Sequence, residues 1–281
     1  MHKLALGTVQ FGLDYGLTNY VGKTSMAEVA KILTFAQTNK IDTLDTAPGY
    51  GNSEQVLGKI GIGKFRVITK TTPFEGDVDK AISSLYKSLN KLNRDRIEGL
   101  LIHNIDDVYH EKFGILFNKL AKLKWDGIIG KIGFSTYTPQ QVDYLLENFD
   151  LDLIQVPLNV FDSRLIEGGQ IKSLKRKNIE IHARSIFLQG VLLNLDSLPN
   201  YFSKWKSQFD QYHSLVKTKN MSLMEYALCF ALGIQEVDKV LIGVNNERHL
   251  REIMQAAQDY QDVEPYPIWN VELLNPSLWK I

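Results

Sequence analysis

Short apolar, β-branched stretches recur along the chain and alternate with longer segments of helical period. That pattern predicts βα units around a parallel sheet. The predicted strands cover residues 4–8, 41–45, 65–70, 98–103, 130–135, 153–158, 180–185 and 239–243. Between them, segments 26–39, 78–92, 111–124, 165–177 and 222–233 place apolar residues at helical spacing, several followed by Gly, Asn or a turn cluster.

Eight strands in a chain of 281 residues match the count and size of a closed (β/α)8 TIM barrel. An open, doubly wound α/β sheet is the competing architecture, because pattern alone does not show closure. Two features interrupt the alternation: an insertion after strand 7, near 190–220, and a C-terminal tail from 260 that carries Pro265, Pro267, Trp269 and Trp279. No linker composition or charge block marks a boundary, so residues 1–281 are expected to form a single domain.

Composition narrows the function classes. A hydrophobic fraction of 44% excludes a disordered chain. The 32 Lys and Arg balance 32 Asp and Glu, which leaves no global basic field for nucleic acid or anionic lipid. Runs such as YALCFALGI fall short of the roughly 20 residues of a membrane span. The single cysteine, Cys229, forbids an intrachain disulfide, and the N-terminal segment lacks the pattern of a secretory leader. A cytoplasmic protein is expected. The histidines (His2, His103, His110, His182, His213 and His249) lack HExxH spacing, so no metal site is expected.

Active sites of this architecture form at the C-terminal ends of the strands. Three consecutive strand ends are unusually polar here. Residues 41–45 end on Asp45 with Tyr50 in the loop beyond, 65–70 end on Lys70, and 98–103 end on His103. Strand alternation puts Ile68 with Lys70 on one face, and Gly99, Leu101 and His103 on one face of the next strand. Together these side chains can donate a proton to a carbonyl oxygen. A phenol needs a neighbouring cation to become acidic enough at neutral pH; Lys70 supplies it, and Asp45 keeps the ammonium charged. His103 can orient the substrate oxygen by a hydrogen bond. The quartet reduces nothing by itself, so a hydride source must bind alongside. Taken singly, these residues are more often a structural pair, a satisfied core histidine and an exposed aromatic; it is the placement of all four at one end of three consecutive βα units that points to chemistry.

DTAPGYGNSEQVLG (45–58), followed by Lys70 and by LLIH ending at His103, resembles the aldo/keto reductases over nearly the whole chain. The resemblance implies an NAD(P)H-dependent barrel oxidoreductase that reduces a small-molecule aldehyde or ketone, a sugar-derived carbonyl included. It implies Tyr50 as general acid, Lys70 and Asp45 as the residues that lower its pKa, and His103 as the carbonyl-orienting residue. By position, Ser135 and Gln155 would hold the nicotinamide carboxamide, and Gly7 and Thr8 would lie beside the cofactor. The segment Gly243, Asn245, Arg248, His249 would meet the adenosine phosphate end, with Glu252 near the adenine.

Three departures from the family pattern carry information. Thr136 follows Ser135 where Asn is common. Arg184 stands where a tyrosine commonly stacks on the nicotinamide, and it could stack likewise, serve an anionic substrate group, or pair with a carboxylate at the rim. After the eighth strand only Arg248 and His249 are basic, so either NADPH or NADH is expected as cofactor. Phe11, Tyr15, Tyr20, Phe161 and Phe187 are candidate walls of the substrate pocket. Two other readings stay open: a Schiff-base aldolase using Lys70, and a nucleotide-binding regulatory protein with little turnover. Oligomeric state is not legible.

Overall fold

The structure is a computed structural model that describes residues 3–281; His2, one of the histidines weighed as a metal ligand, lies outside them. Eight parallel strands close into a barrel in sequence order: β1 (Leu4–Gly7), β2 (Thr43–Asp45), β3 (Arg66–Lys70), β4 (Ile97–Ile102), β5 (Ile129–Ser135), β6 (Leu153–Pro157), β7 (Glu180–Arg184) and β8 (Lys239–Gly243). Closure runs through β1 and β8, which pair from Leu4↔Val240 to Gly7↔Gly243. This is the (β/α)8 architecture, and it removes the open-sheet alternative.

The outer layer is formed by α1 (Met26–Thr38), α2 (Ser53–Ile60), α3 (Val78–Leu92), α4 (Phe113–Trp125), α5 (Pro139–Asn148), α6 (Arg164–Glu167), α7 (Gln170–Arg176), α8 (Lys206–Thr218), α9 (Leu223–Gly233) and α10 (Glu247–Gln258). Several begin on side chains suited to capping orphan N–H groups. Ser25 caps α1, Asp77 caps α3 and Asn246 caps α10, while Thr138 with Gln141 and Ser222 with Glu225 form capping boxes. The segment 165–177, expected as one helix, is two, because Gly169 adopts φ +81° and breaks the ladder between α6 and α7.

Most apolar side chains pack between the sheet and the helices, whereas Ile68, Leu101 and Leu153 form a separate small cluster. The register Ile68↔Gly99 and Lys70↔Leu101 explains that cluster's place beneath the polar strand ends. The N-terminal ends of the strands carry a charge network instead. Arg66 bonds Glu98 at 2.9 Å, Lys131 bridges Glu98 and Glu180, and Glu180 accepts from buried His182 at 2.8 Å. Glu180 is held down to about 2: burial opposes ionisation, but hydrogen bonds from His182 and Lys131 outweigh it.

The insertion after β7 contains α8 and docks through Phe161, whose ring stacks on Phe209 at 5.7 Å and meets Tyr212 at 5.0 Å. The tail binds the same place, with the Tyr266 and Ile268 amides donating to the Val160 and Phe161 carbonyls. It ends in α11 (Val271–Leu274) and a 3₁₀ turn. Among the described residues no helix is long and apolar enough to cross a membrane. None of the described His, Cys, Asp and Glu side chains group as three or more that could hold a metal ion. Cys229 is buried in α9.

Candidate active site

The C-terminal mouth of the barrel opens into a cavity of about 500 Å³. Asp45, Tyr50, Lys70 and His103 all line it. Lys70 Nζ donates to Asp45 Oδ1 at 2.6 Å and to the Thr46 carbonyl at 2.9 Å. The second Asp45 oxygen accepts from Gln155 Nε2 at 2.7 Å. Burial alone would depress the Lys70 ammonium, but Asp45 and Tyr50 together raise its pKa above the ordinary lysine value, so it is charged. That charge lies 4.8 Å from the centroid of the Tyr50 ring, and the His103 ring meets Tyr50 edge-on at 6.3 Å.

The loop holding Tyr50 is tied down by the polar residues around it. Ser53 Oγ bonds the Thr8 carbonyl at 2.8 Å and the Thr8 hydroxyl at 2.9 Å, and Thr69 Oγ1 donates to buried Glu54 at 2.8 Å. The loop after β1 presses against it so closely that a Cβ on Gly12 would sit 1.8 Å from the Tyr50 carbonyl oxygen. Thus Ser53, Glu54 and Gly12 fix where Tyr50 sits relative to β1 and β3.

The electrostatics partly differ from the sequence expectation of an acidified phenol. Enclosure of Tyr50 raises its pKa above that of a free phenol; Lys70 pulls it down, and Asp45 pushes it up. The net result is a hydroxyl that keeps its proton. His103 is pushed down to about 4, first by burial and then by Lys70, so its imidazole is neutral at pH 7.

From this cluster the cavity runs toward the start of α10. Gly7, Thr8, Ser135, Gln155, Gly243, Asn245, His249 and Glu252 line it, as does Arg184. Arg248 does not reach the cavity; its side chain is 85% exposed and bonds Glu252 at 2.8 Å, because its place on α10 faces solvent. Of the five aromatic wall candidates, Tyr15 and Phe187 line the cavity. Phe11 and Phe161 are fully buried core, and Tyr20 is 79% exposed outside it. Gln10 was not anticipated: it lines the groove beside Gly243, and its buried Oε1 has no hydrogen-bond partner. A Cβ on Gly243 would meet the Gln10 amide at 2.5 Å, so glycine keeps that passage open. A long groove with an unsatisfied amide on its floor fits an extended polar ligand such as a dinucleotide.

The sequence profile described as the Aldo/keto reductase family matches residues 3–264. The chain belongs to the aldo/keto reductase family. It is 25% identical to L-galactose dehydrogenase from Arabidopsis thaliana over 250 residues, covering 79% of this chain and 76% of that one. Glyoxal reductase from Bacillus subtilis (strain 168) is 24% identical over 232 residues, covering 76% of this chain and 82% of that one. The solved aldo-keto reductase from Bacillus halodurans in its holo form superposes with a TM-score of 0.72 at 20% identity, over 99% of this chain and 94% of that one. By its family, this aldo/keto reductase is an oxidoreductase.

Proposed function

We propose that this chain reduces an aldehyde or ketone to the alcohol with NADH or NADPH, Tyr50 acting as general acid. The observation that carries the reading is the buried Asp45–Lys70 pair set against the Tyr50 ring, with neutral His103 beside it at the cavity floor. A reduced nicotinamide, when bound, supplies hydride to the carbonyl carbon. Tyr50 gives its proton to the carbonyl oxygen as negative charge develops there, and the Lys70 charge stabilises the phenolate left behind. Neutral His103 can donate a hydrogen bond to the same oxygen. Asp45 touches none of these atoms; it holds Lys70 charged and in place.

Ser135 and Gln155 would hold the nicotinamide carboxamide, with Gly7, Thr8 and Gly243 flanking the groove and Asn245, His249 and Glu252 at its far end. At that end Glu28 Oε1 accepts from the Glu247 amide at 2.9 Å, at the start of α10. This backbone hydrogen bond, helped by Lys31, lowers the Glu28 pKa. An ionised carboxylate beside a helix N-terminus competes with an added phosphate for the same favourable field. NADH is therefore accepted as well as NADPH.

The Lys70 Schiff-base alternative is disfavoured by the same contacts, since an ammonium held by two oxygens is a poor nucleophile. Fluorescence titration with NADH and NADPH, followed by a carbonyl panel, tests the proposal. Both nucleotides should bind, and at least one carbonyl should be reduced. Glu28→Gln should shift the NADPH/NADH affinity ratio toward NADPH by about threefold or more. A chain that binds neither nucleotide would refute the reading.

A further inference from the structure

Arg184 ends β7 and lines the cavity, yet no described carboxylate lies within ion-pair distance of it. Its guanidinium is held by other means. One terminal nitrogen donates to the Thr136 carbonyl at 2.9 Å, the other to Ser185 Oγ at 3.1 Å, and the group stacks on the Tyr137 ring with its carbon 4.3 Å from the centroid. Five N–H donors are available on a guanidinium, so more than half remain without a partner among the described residues.

The backbone beneath it is also fixed. Ser185 adopts φ +59°, a left-handed conformation that a serine holds only under constraint. The constraint is visible: the Leu158 amide bonds the Arg184 carbonyl at 3.0 Å, while Asn159 Nδ2 and the Leu188 amide bond the Ser185 carbonyl at 3.2 and 2.8 Å. The result is a rigid, forked cation at the wall of a cavity whose floor holds the proton donor. Tyr50, His103 and Tyr15 line the same cavity as the guanidinium. A fixed guanidinium with a free edge suits bidentate recognition of a planar or tetrahedral oxyanion.

We propose that Arg184 anchors an oxyanion subsite, so that the preferred substrate carries a carboxylate or phosphate group as well as the carbonyl that is reduced. The inference rests on the reductase reading. In the reaction the C=O becomes CH–OH, gaining hydride at carbon and the Tyr50 proton at oxygen, and the oxyanion group is unchanged. Tyr137, as the stacking platform, and Ser185 and Thr136, as acceptors, are positioning residues for the guanidinium.

Two sets of measurements test the proposal. Calorimetric titration with succinate and with propyl phosphate, which carry neither a carbonyl nor an alcohol, reads the subsite without turnover and separates carboxylate from phosphate. It is run on the native chain, Arg184→Gln and Arg184→Lys, with and without saturating NADP⁺. The native chain should bind at least one of the two, Arg184→Gln should weaken it tenfold or more, and Arg184→Lys should fall between. Binding of neither anion by the native chain, or equal binding by native and Arg184→Gln, overturns the proposal. So does a tenfold loss of nucleotide affinity in Arg184→Gln with anion binding intact, which would make the residue a cofactor platform. In turnover, the kcat/KM ratio of succinic semialdehyde to butanal, or of glyceraldehyde 3-phosphate to glyceraldehyde, should drop tenfold or more in Arg184→Gln. If the native chain reduces no carbonyl, the reductase reading fails while the titrations still decide the subsite.

Discussion

The chemistry of the site turns on which groups hold protons at neutral pH. Lys70 is charged, His103 is neutral with its pKa at about 4, and Tyr50 keeps its hydroxyl proton because enclosure outweighs the pull of Lys70. Those are the states a proton donor, its cation and a neutral orienting group require for reduction. Neither Tyr50 nor His103 should then titrate between about pH 6 and about pH 9, and kcat for reduction should be flat across that window. A pH–rate profile with a midpoint inside it would contradict the assignment. The same histidine contributes to acid sensitivity. Its folded pKa lies below the ordinary 6.5, so the unfolded chain binds the extra proton first and stability falls as pH drops from 6.5 toward 4.

At the scale of elements, the strands were legible because each is a short β-branched run with a turn on either side, and all eight appear close to the expected bounds. The polar strand ends were legible for the same reason: alternation fixes which face Lys70 takes, and the β3–β4 register brings His103 to the same mouth. Other features were hidden because they depend on contacts between loops distant in sequence. The break at Gly169 needs a backbone angle, the burial of Phe161 needs both the insertion and the tail, and the outward turn of Arg248 needs the rotational setting of α10. The Gly12 contact is of this kind. Its φ of −121° suits any residue, so only the nearness of the Tyr50 carbonyl demands glycine there. Gly12→Ala should push the Tyr50 loop outward, lower kcat/KM about tenfold or more, and cost about 1–3 kcal/mol in stability. Steady-state kinetics with urea denaturation checks both, and native-like values in each would refute the clamp.

For the whole molecule, the barrel separates two kinds of charge. At the C-terminal mouth, Lys70 and Arg184 face a cavity; at the opposite end, Arg66, Glu98, Lys131, Glu180 and His182 pair with one another. The first arrangement leaves donors available, whereas the second leaves few. Glu180→Gln should therefore act on stability alone. It removes a carboxylate that His182 and Lys131 both use, and a loss of about 1–3 kcal/mol is expected, moderated by partial solvent access. Urea denaturation should show a lower midpoint at unchanged slope, with kcat retained. The stabilising effect of the native carboxylate is present above pH 4.5 and disappears as pH falls toward about 2, so the difference between native and variant should close over that interval.

The separation gives the functional account its most direct test, which is single-turnover oxidation of bound NADH or NADPH by a reducible carbonyl in the native chain and in Tyr50→Phe. Removing one hydroxyl should slow the chemical step by about 10²–10⁴-fold while leaving the nucleotide dissociation constant within about twofold. A Tyr50→Phe chain that turns over at the native rate would contradict the account.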